Sequence, residues 1–350
     1  MTGPAQRAQA TAPEVGEAPL SGSPGAGGSP GEAGTVGAEA VDGTGGASRQ
    51  AIQAHYDVSR DFYRLWLDDQ MVYSCALWPE GAGAPAGGLG PLGGFDDDLE
   101  GAQRAKLAWH ASSAQADGAA RVLDIGCGWG AMMRYLRDER RVGAVTGLTL
   151  SADQADAIGA SAGLEVRLED WRDHSPSAPY DAIISIGAFE HFARQDLTTP
   201  QRRAIYRSFF ERCAAWLPPG GRLSLQTIAY EDFDSENHAV SAFFTDEIFP
   251  ESSLPHLADI VEAAEPSFRV IALRNDGAQY EATLHLWQQR LEASRSEALG
   301  LVGRVVYRRY LRYLRVSRAM FDRHVCTLYR FTLQRRPPTP APASAPTEIR

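Results

Sequence analysis

Residues Val122–Gly130 read VLDIGCGWG: a short apolar run interrupted only by Asp124 passes into Gly126-Cys127-Gly128-Trp129-Gly130, and a helical stretch follows to about residue 139. Glycines at a strand-to-helix turn let backbone approach a ligand without Cβ clashes, while the first N–H groups of the helix face it, so the ligand should be anionic or zwitterionic. Working outward, AVTGL reads as a second strand, 151–160 as a helix and LEVRL as a third strand, which is βαβαβ. The alternation continues through DAIISIG (181–187), a helix over about 199–217, a PPGG turn and LSLQTI (223–228). This pattern predicts a mostly parallel α/β sheet. Right-handed crossovers put its crevice at the carboxyl ends of the strands, where the loops carrying Gly126, Thr149, Trp171 and Glu190 should meet.

Around this core, residues 1–47 are Gly, Ala, Pro, Ser and Thr with almost no large apolar side chains, a composition that predicts a disordered tail. Residues 48–118 read as a helical preface to the catalytic core (119–335), broken by a Gly-rich surface insertion at 81–94. Residues 230–255, with Phe243, Phe244, Phe249 and Pro250, read as a lid. An arginine-rich helix is expected over 295–321, CTLYRFTL (326–333) as a closing edge strand, and 336–350 as a disordered Pro-rich tail.

Net charge is -10, which argues against a nucleic-acid substrate. Cys75, Cys127, Cys213 and Cys326 are scattered, without the spacing of a zinc site, and point to no metal and a reduced compartment. No apolar run approaches the ~20 residues of a bilayer span and no secretory signal is visible, so a cytoplasmic location is expected. Lys106 stands alone beside 33 arginines, a skew that reads as coding bias rather than 33 separate demands for guanidinium chemistry.

Two cofactor classes compete for the glycine turn. Dinucleotide enzymes use Gly-x-Gly-x-x-Gly and an acidic residue ending the second strand. Here the spacing is Gly-x-Gly-x-Gly, and the second strand ends in Gly147-Leu-Thr-Leu-Ser151 with no acid for ribose hydroxyls, which favours a methyl donor over nicotinamide.

Six segments in order carry a more specific signal: HYDVSRDFYRLWLDDQMVYSCALW (55–78), VLDIGCGWG, VTGLTLSADQ (145–154), SIGAFEHF (185–192), FFTDEIFP (243–250), and Tyr280 followed by HLW. Together they resemble the cyclopropane fatty acid synthase family, including the mycolic acid cyclopropane synthases, over roughly 51–335. The resemblance implies a class I, Rossmann-like methyltransferase with a mostly parallel seven-stranded sheet, a helical N-terminal preface and a lid insertion. Its cofactor would be S-adenosylmethionine. Tyr73 and Ser74 would close over it. Asp124, Gly126, Cys127, Gly128 and Gly130 form the turn, with Gly126 and Gly128 at the methionine end. Thr149, Leu150 and Gln154 would hold the ribose, and Trp171 would lie at the adenine.

In such enzymes the nucleophile is an alkene carbon, and methyl transfer leaves a carbocation that aromatic rings and carboxylates stabilise. The resemblance places a bicarbonate among the main chains of Cys75 and Ile186, Glu190 and Tyr280. Leu225-Gln-Thr-Ile228 carries Gln226 where the family has histidine, exchanging an ionisable imidazole for a neutral amide and placing ring closure and bicarbonate in question. The acceptor expected is an unsaturated acyl or lipid chain. The alternative is a C- or N-methyltransferase of specialised, antibiotic-type metabolism on the same scaffold. Arg304, Arg308, Arg309, Arg312, Arg315 and Arg318 recur at helical spacing and predict a basic face for an acyl carrier protein or an anionic membrane surface, unless internal carboxylates consume it.

Overall fold

The structure, a computed structural model, describes residues 46, 58–78, 98–159, 161–231 and 253–337. The insertion at 81–94, nearly all of the lid, the N-terminal tail save Gly46 and the last residues from 338 fall outside the described residues. Everything below concerns the unit Val41–Arg350.

Seven strands form one sheet. They are β1 (Arg121–Ile125), β2 (Ala144–Thr149), β3 (Leu164–Leu168), β4 (Ala182–Ile186), β5 (Arg222–Tyr230), β6 (Phe268–Asn275) and β7 (Cys326–Arg335), in the spatial order β3-β2-β1-β4-β5-β7-β6. β1 pairs in parallel with β2 and β4, β2 with β3, and β4 with β5. Only β7 runs against its neighbours, pairing antiparallel with β5 and β6. The sheet is mostly parallel. The central strands are apolar almost throughout because helices cover both faces, as Val122, Leu123, Ile183 and Ile184 show, all fully buried.

The helices are α1 (Arg60–Arg64), α2 (Leu99–Ala114), α3 (Ala131–Asp138), α4 (Ala152–Ile158), α5 (Thr199–Trp216), α6 (Leu257–Ala264), α7 (Gly277–Ala293) and α8 (Arg295–Asp322). Local signals set several ends. The Asp98 carboxylate accepts from the Gly101 amide at 2.7 Å to start α2, and Thr198 and Gln201 form a capping box at α5. The described preface is helical only at α1 and α2; residues 68–78 between them carry no regular element.

Two expectations change. CTLYRFTL is not an edge strand: β7 lies inside the sheet, its first eight residues all buried, and the edge belongs to β6. Its mixed pattern comes from a buried arginine, Arg330, rather than from a solvated face. The arginine-rich helix is also not continuous, because Gly303 takes φ 72° and ψ 174° and breaks α8 into two pieces. No helix among the described residues is long and apolar enough to cross a membrane.

Candidate active site

Strand order reverses between β1 and β4, and in an open α/β sheet the crevice beyond such a reversal receives the ligand. A half-open cleft lies there, walled by loops from several strand ends. Asp124, Gly126, Cys127 and Gly128 reach it from β1, Thr149 and Leu150 from β2, Trp171 after β3, and Ile186 with Gly187 from β4. Tyr73 and Ser74 from the preface and Gln154 from α4 complete this group. Segments far apart in sequence thus meet at one cavity.

The turn is fixed by its own backbone. The amides of Gly126 and Cys127 both donate to the Leu148 carbonyl, each at 3.0 Å, tying the end of β1 to the end of β2. Gly126 has φ 79°, and a Cβ there would stand 2.4 Å from that of Ala188. Gly128, at φ 53°, has nothing within 4 Å of the same position, so its side faces open space. Gly130 does not line the cavity but caps α3. Burial pushes the Cys127 thiol well up, so its side chain is a core hydrophobe and its backbone alone shapes the turn.

Polar groups in the walls carry distinct possibilities. Asp124 is buried with Oδ2 lacking a hydrogen-bond partner, and burial pushes its carboxyl up to about 7 against the pull of Lys106. The Thr149 hydroxyl donates to Gln154 Oε1 at 2.7 Å, so the two form one polar unit at the edge of β2. Trp171 packs on Phe192 and Phe209 with centroids 5.2 and 5.4 Å away, which fixes its indole plane. Lys106, Asp170 and His191 also line the cavity.

Behind this cavity lies a second group of residues. Glu190 sits in a single 3-10 turn (Phe189–His191) after β4 and reaches across to β5, where Oε1 accepts from the Ile228 amide at 2.7 Å. Its Oε2 is buried without a partner, and burial pushes the carboxyl up to about 7, opposed by the Ile228 bond. Gln226 stands beside Ile186 in the sheet register. Its Oε1 accepts from Arg330 Nε at 2.9 Å and from His110 Nε2 at 3.2 Å, which leaves the amide Nε2 as the donating end. Burial holds His110 neutral, so its Nδ1 accepts from the Ser224 hydroxyl at 2.8 Å.

Arg330 ties this group together. Its Nη2 donates to the carbonyls of Cys75 (3.2 Å) and Ala76 (3.0 Å), and its Nη1 pairs with Asp276, the residue that starts the helix bearing Tyr280. The Cys75 thiol is pushed up to about 11 by burial and stays protonated. Tyr280 lies in the aromatic cluster, 4.7 Å from Phe321 and 6.2 Å from Trp287 between ring centroids. Neither Cys75, Gln226, Glu190 nor Tyr280 borders the main cavity, so the two groups are adjacent through Ile186 and the loop after β4. Arg330 went unread because its partners lie 54 to 255 residues away.

A dense aromatic wall flanks the first cavity. Tyr73 and Trp129, both lining it, pack at a tilt against Tyr63 with centroids 5.4 and 4.9 Å away, and Tyr73 continues to Trp66 and Trp287 at 5.3 and 5.4 Å.

This sheet order, with its glycine turn at the β1/β4 reversal, defines an α/β enzyme of the class I methyltransferase type, dependent on S-adenosylmethionine. The mycolic acid cyclopropane synthetase family profile matches residues 46–331, and the chain belongs to that family. Cyclopropane mycolic acid synthase 3 of Mycobacterium tuberculosis is 34% identical over 302 residues, covering 81% of this chain and 96% of its own. The cyclopropane synthase MmaA2 structure from Mycobacterium tuberculosis superposes with a TM-score of 0.71 at 31% identity, over 83% of this chain and 99% of that one. The mycolic acid cyclopropane synthase CmaA1, solved with SAH and CTAB, gives 0.69 at 31% identity over 82% and 98%.

Proposed function

We propose that this methyltransferase acts on carbon, adding a methyl group to an alkene of an unsaturated acyl or lipid chain, with a methyl branch or a cyclopropane as product. The observation that carries this reading is Glu190, a buried carboxylate with an unpartnered oxygen and a raised pKa, placed behind the cofactor cavity and its aromatic wall. When bound, S-adenosylmethionine supplies a methyl group already activated on sulfur. The protein's remaining tasks are alignment, charge and a proton.

In this reading the backbone of Gly126, Cys127 and Gly128, with Asp124, receives the methionine end of the cofactor. Thr149, Leu150 and Gln154 hold the ribose, Trp171 borders the adenine, and Tyr73 and Ser74 close the cavity. Gly130 acts indirectly, by starting α3. The faces of Tyr73, Trp129 and their neighbours surround positive charge on the acceptor with π density. Glu190, poised near neutrality, takes a proton as the charge collapses.

The second group fits a bicarbonate in chemistry. Gln226 Nε2 offers a donor, Glu190 Oε2 an acceptor for the ion's proton, and Arg330 a nearby positive charge, with the Cys75 and Ile186 main chains and Tyr280 as the other expected holders. The lipid class of acceptor is supported by the names of the relatives and by the CTAB bound in one of them. On α8, Arg315 pairs with Glu292 and Arg318 with Glu281, so an acyl carrier or anionic membrane would meet chiefly the exposed Arg304 and Arg308.

The test is to incubate the full chain and methyl-labelled S-adenosylmethionine with lipid extract, acyl carriers and small metabolites. Label in an acyl chain is the expected result. Label confined to nitrogen or oxygen of a small metabolite would overturn it.

A further inference from the structure

Lys106 is the single lysine of a chain that uses arginine at 33 other cationic positions. If coding bias alone set the choice, this position would be arginine too. It lies on α2, 1% exposed, in the wall of the cofactor cavity beside Ser74, Asp124 and Gly126. An ammonium is a compact point charge that fits such a place, whereas a guanidinium would bring five donors and need acceptors for them.

Lys106 Nζ donates to the Ser74 hydroxyl oxygen at 2.8 Å, which leaves the hydroxyl proton free to be given elsewhere. The charged groups that face it are Asp68 from the segment after α1, Asp124 at β1 and Arg330 from β7, with Cys75 near Ser74 and His110 one turn along its own helix. Asp68 is a poor candidate for its main partner, because its two oxygens already accept from the amides of Gln70 and Val72. Asp124 keeps one oxygen without a partner. One end of the cavity therefore presents an ammonium with protons to give and, separately, a carboxylate oxygen with none to accept. That pairing is complementary to an amino-acid zwitterion.

We propose that Lys106, together with the Ser74 hydroxyl it orients, is the carboxylate-binding subsite for the amino-acid end of the methyl donor. The inference rests on the cofactor placement proposed above and adds to it a buried cation for the ligand's carboxylate. Burial lowers the Lys106 ammonium to about 7, with Arg330 adding to the effect. A bound carboxylate favours the charged form, so binding draws a proton onto Lys106 above that pH.

Calorimetry on the full chain with two probes isolates the contact: S-adenosylmethionine, and its decarboxylated form, which lacks only the carboxylate. The wild type should favour the intact ligand by about ten- to a hundredfold, the worth of a charge-assisted hydrogen bond. Lys106→Met should reduce that ratio to near one by weakening the intact ligand alone. Equal weakening of both ligands, or an unchanged ratio, would overturn the subsite. Should the variant fail to fold, the wild type at pH 8 in buffers of different ionisation heat decides. Proton uptake greater for the intact ligand is expected, and equal uptake overturns the proposal. Binding of neither ligand would overturn the cofactor placement itself, which is distinguishable from the loss of the ratio alone.

Discussion

At Gly126 and Gly128 the same residue type meets two different demands. Gly126 cannot accept a Cβ for lack of room beside Ala188, so Gly126→Ala should destabilise the protein by about 2 kcal/mol or more, read as a lower melting temperature. Gly128→Ala meets open space, so its melting temperature should fall less while calorimetry shows lost cofactor affinity. Glu190→Gln should lower turnover by about a hundred- to ten-thousandfold with cofactor affinity unchanged. Wild-type turnover should rise with pH through about 7 as Glu190 ionises, and the variant should lose that limb. Stability carries the opposite sign. The folded protein keeps on Glu190 a proton that the unfolded chain releases near pH 4.5, so stability falls as pH rises from there through about 7 and then levels off. Urea midpoints of Glu190→Gln should show a flatter slope across that window.

Among the elements, β1, β2, β4 and β5 were legible because each is a largely apolar run with most side chains buried, and β3 because Leu-Glu-Val-Arg-Leu alternates. β6 was not: its pattern is exposed from Arg269 to Leu273, including Val270 and Ile271, so no alternation marks it. β7 was found but misplaced, since Arg330 looks like a solvent-facing residue until its partners in β5, the preface and α7 are known. This buried arginine is the joint between those elements. Arg330→Met leaves Asp276 buried with only the half-exposed Arg274, and should cost about 3 kcal/mol in urea denaturation, the lower end for a broken buried pair. Arg274→Met should cost much less, because Arg330 stays on Asp276.

At the scale of the whole molecule, the cavity proposed for the cofactor was readable because most of its contributors sit in contiguous motifs at strand ends. Of the second group, Glu190 was also placed by its loop after a strand, whereas Gln226, Cys75 and Tyr280 were readable only through family resemblance, since they carry no shared spacing and Arg330 is what joins Gln226 to Cys75. Lys106 was visible as a number but not as a place: composition marked it, and only the fold put it in the cavity wall. The central claim concerns the atom that receives the methyl group. The most direct measurement supplies deuterated-methyl S-adenosylmethionine and a defined cis-unsaturated acyl lipid to the full chain, then locates the label in the product by mass spectrometry and NMR. Deuterium bonded to a former alkene carbon is the predicted result. An untouched acyl chain, with the label recovered on a heteroatom of a co-supplied amine, would contradict it.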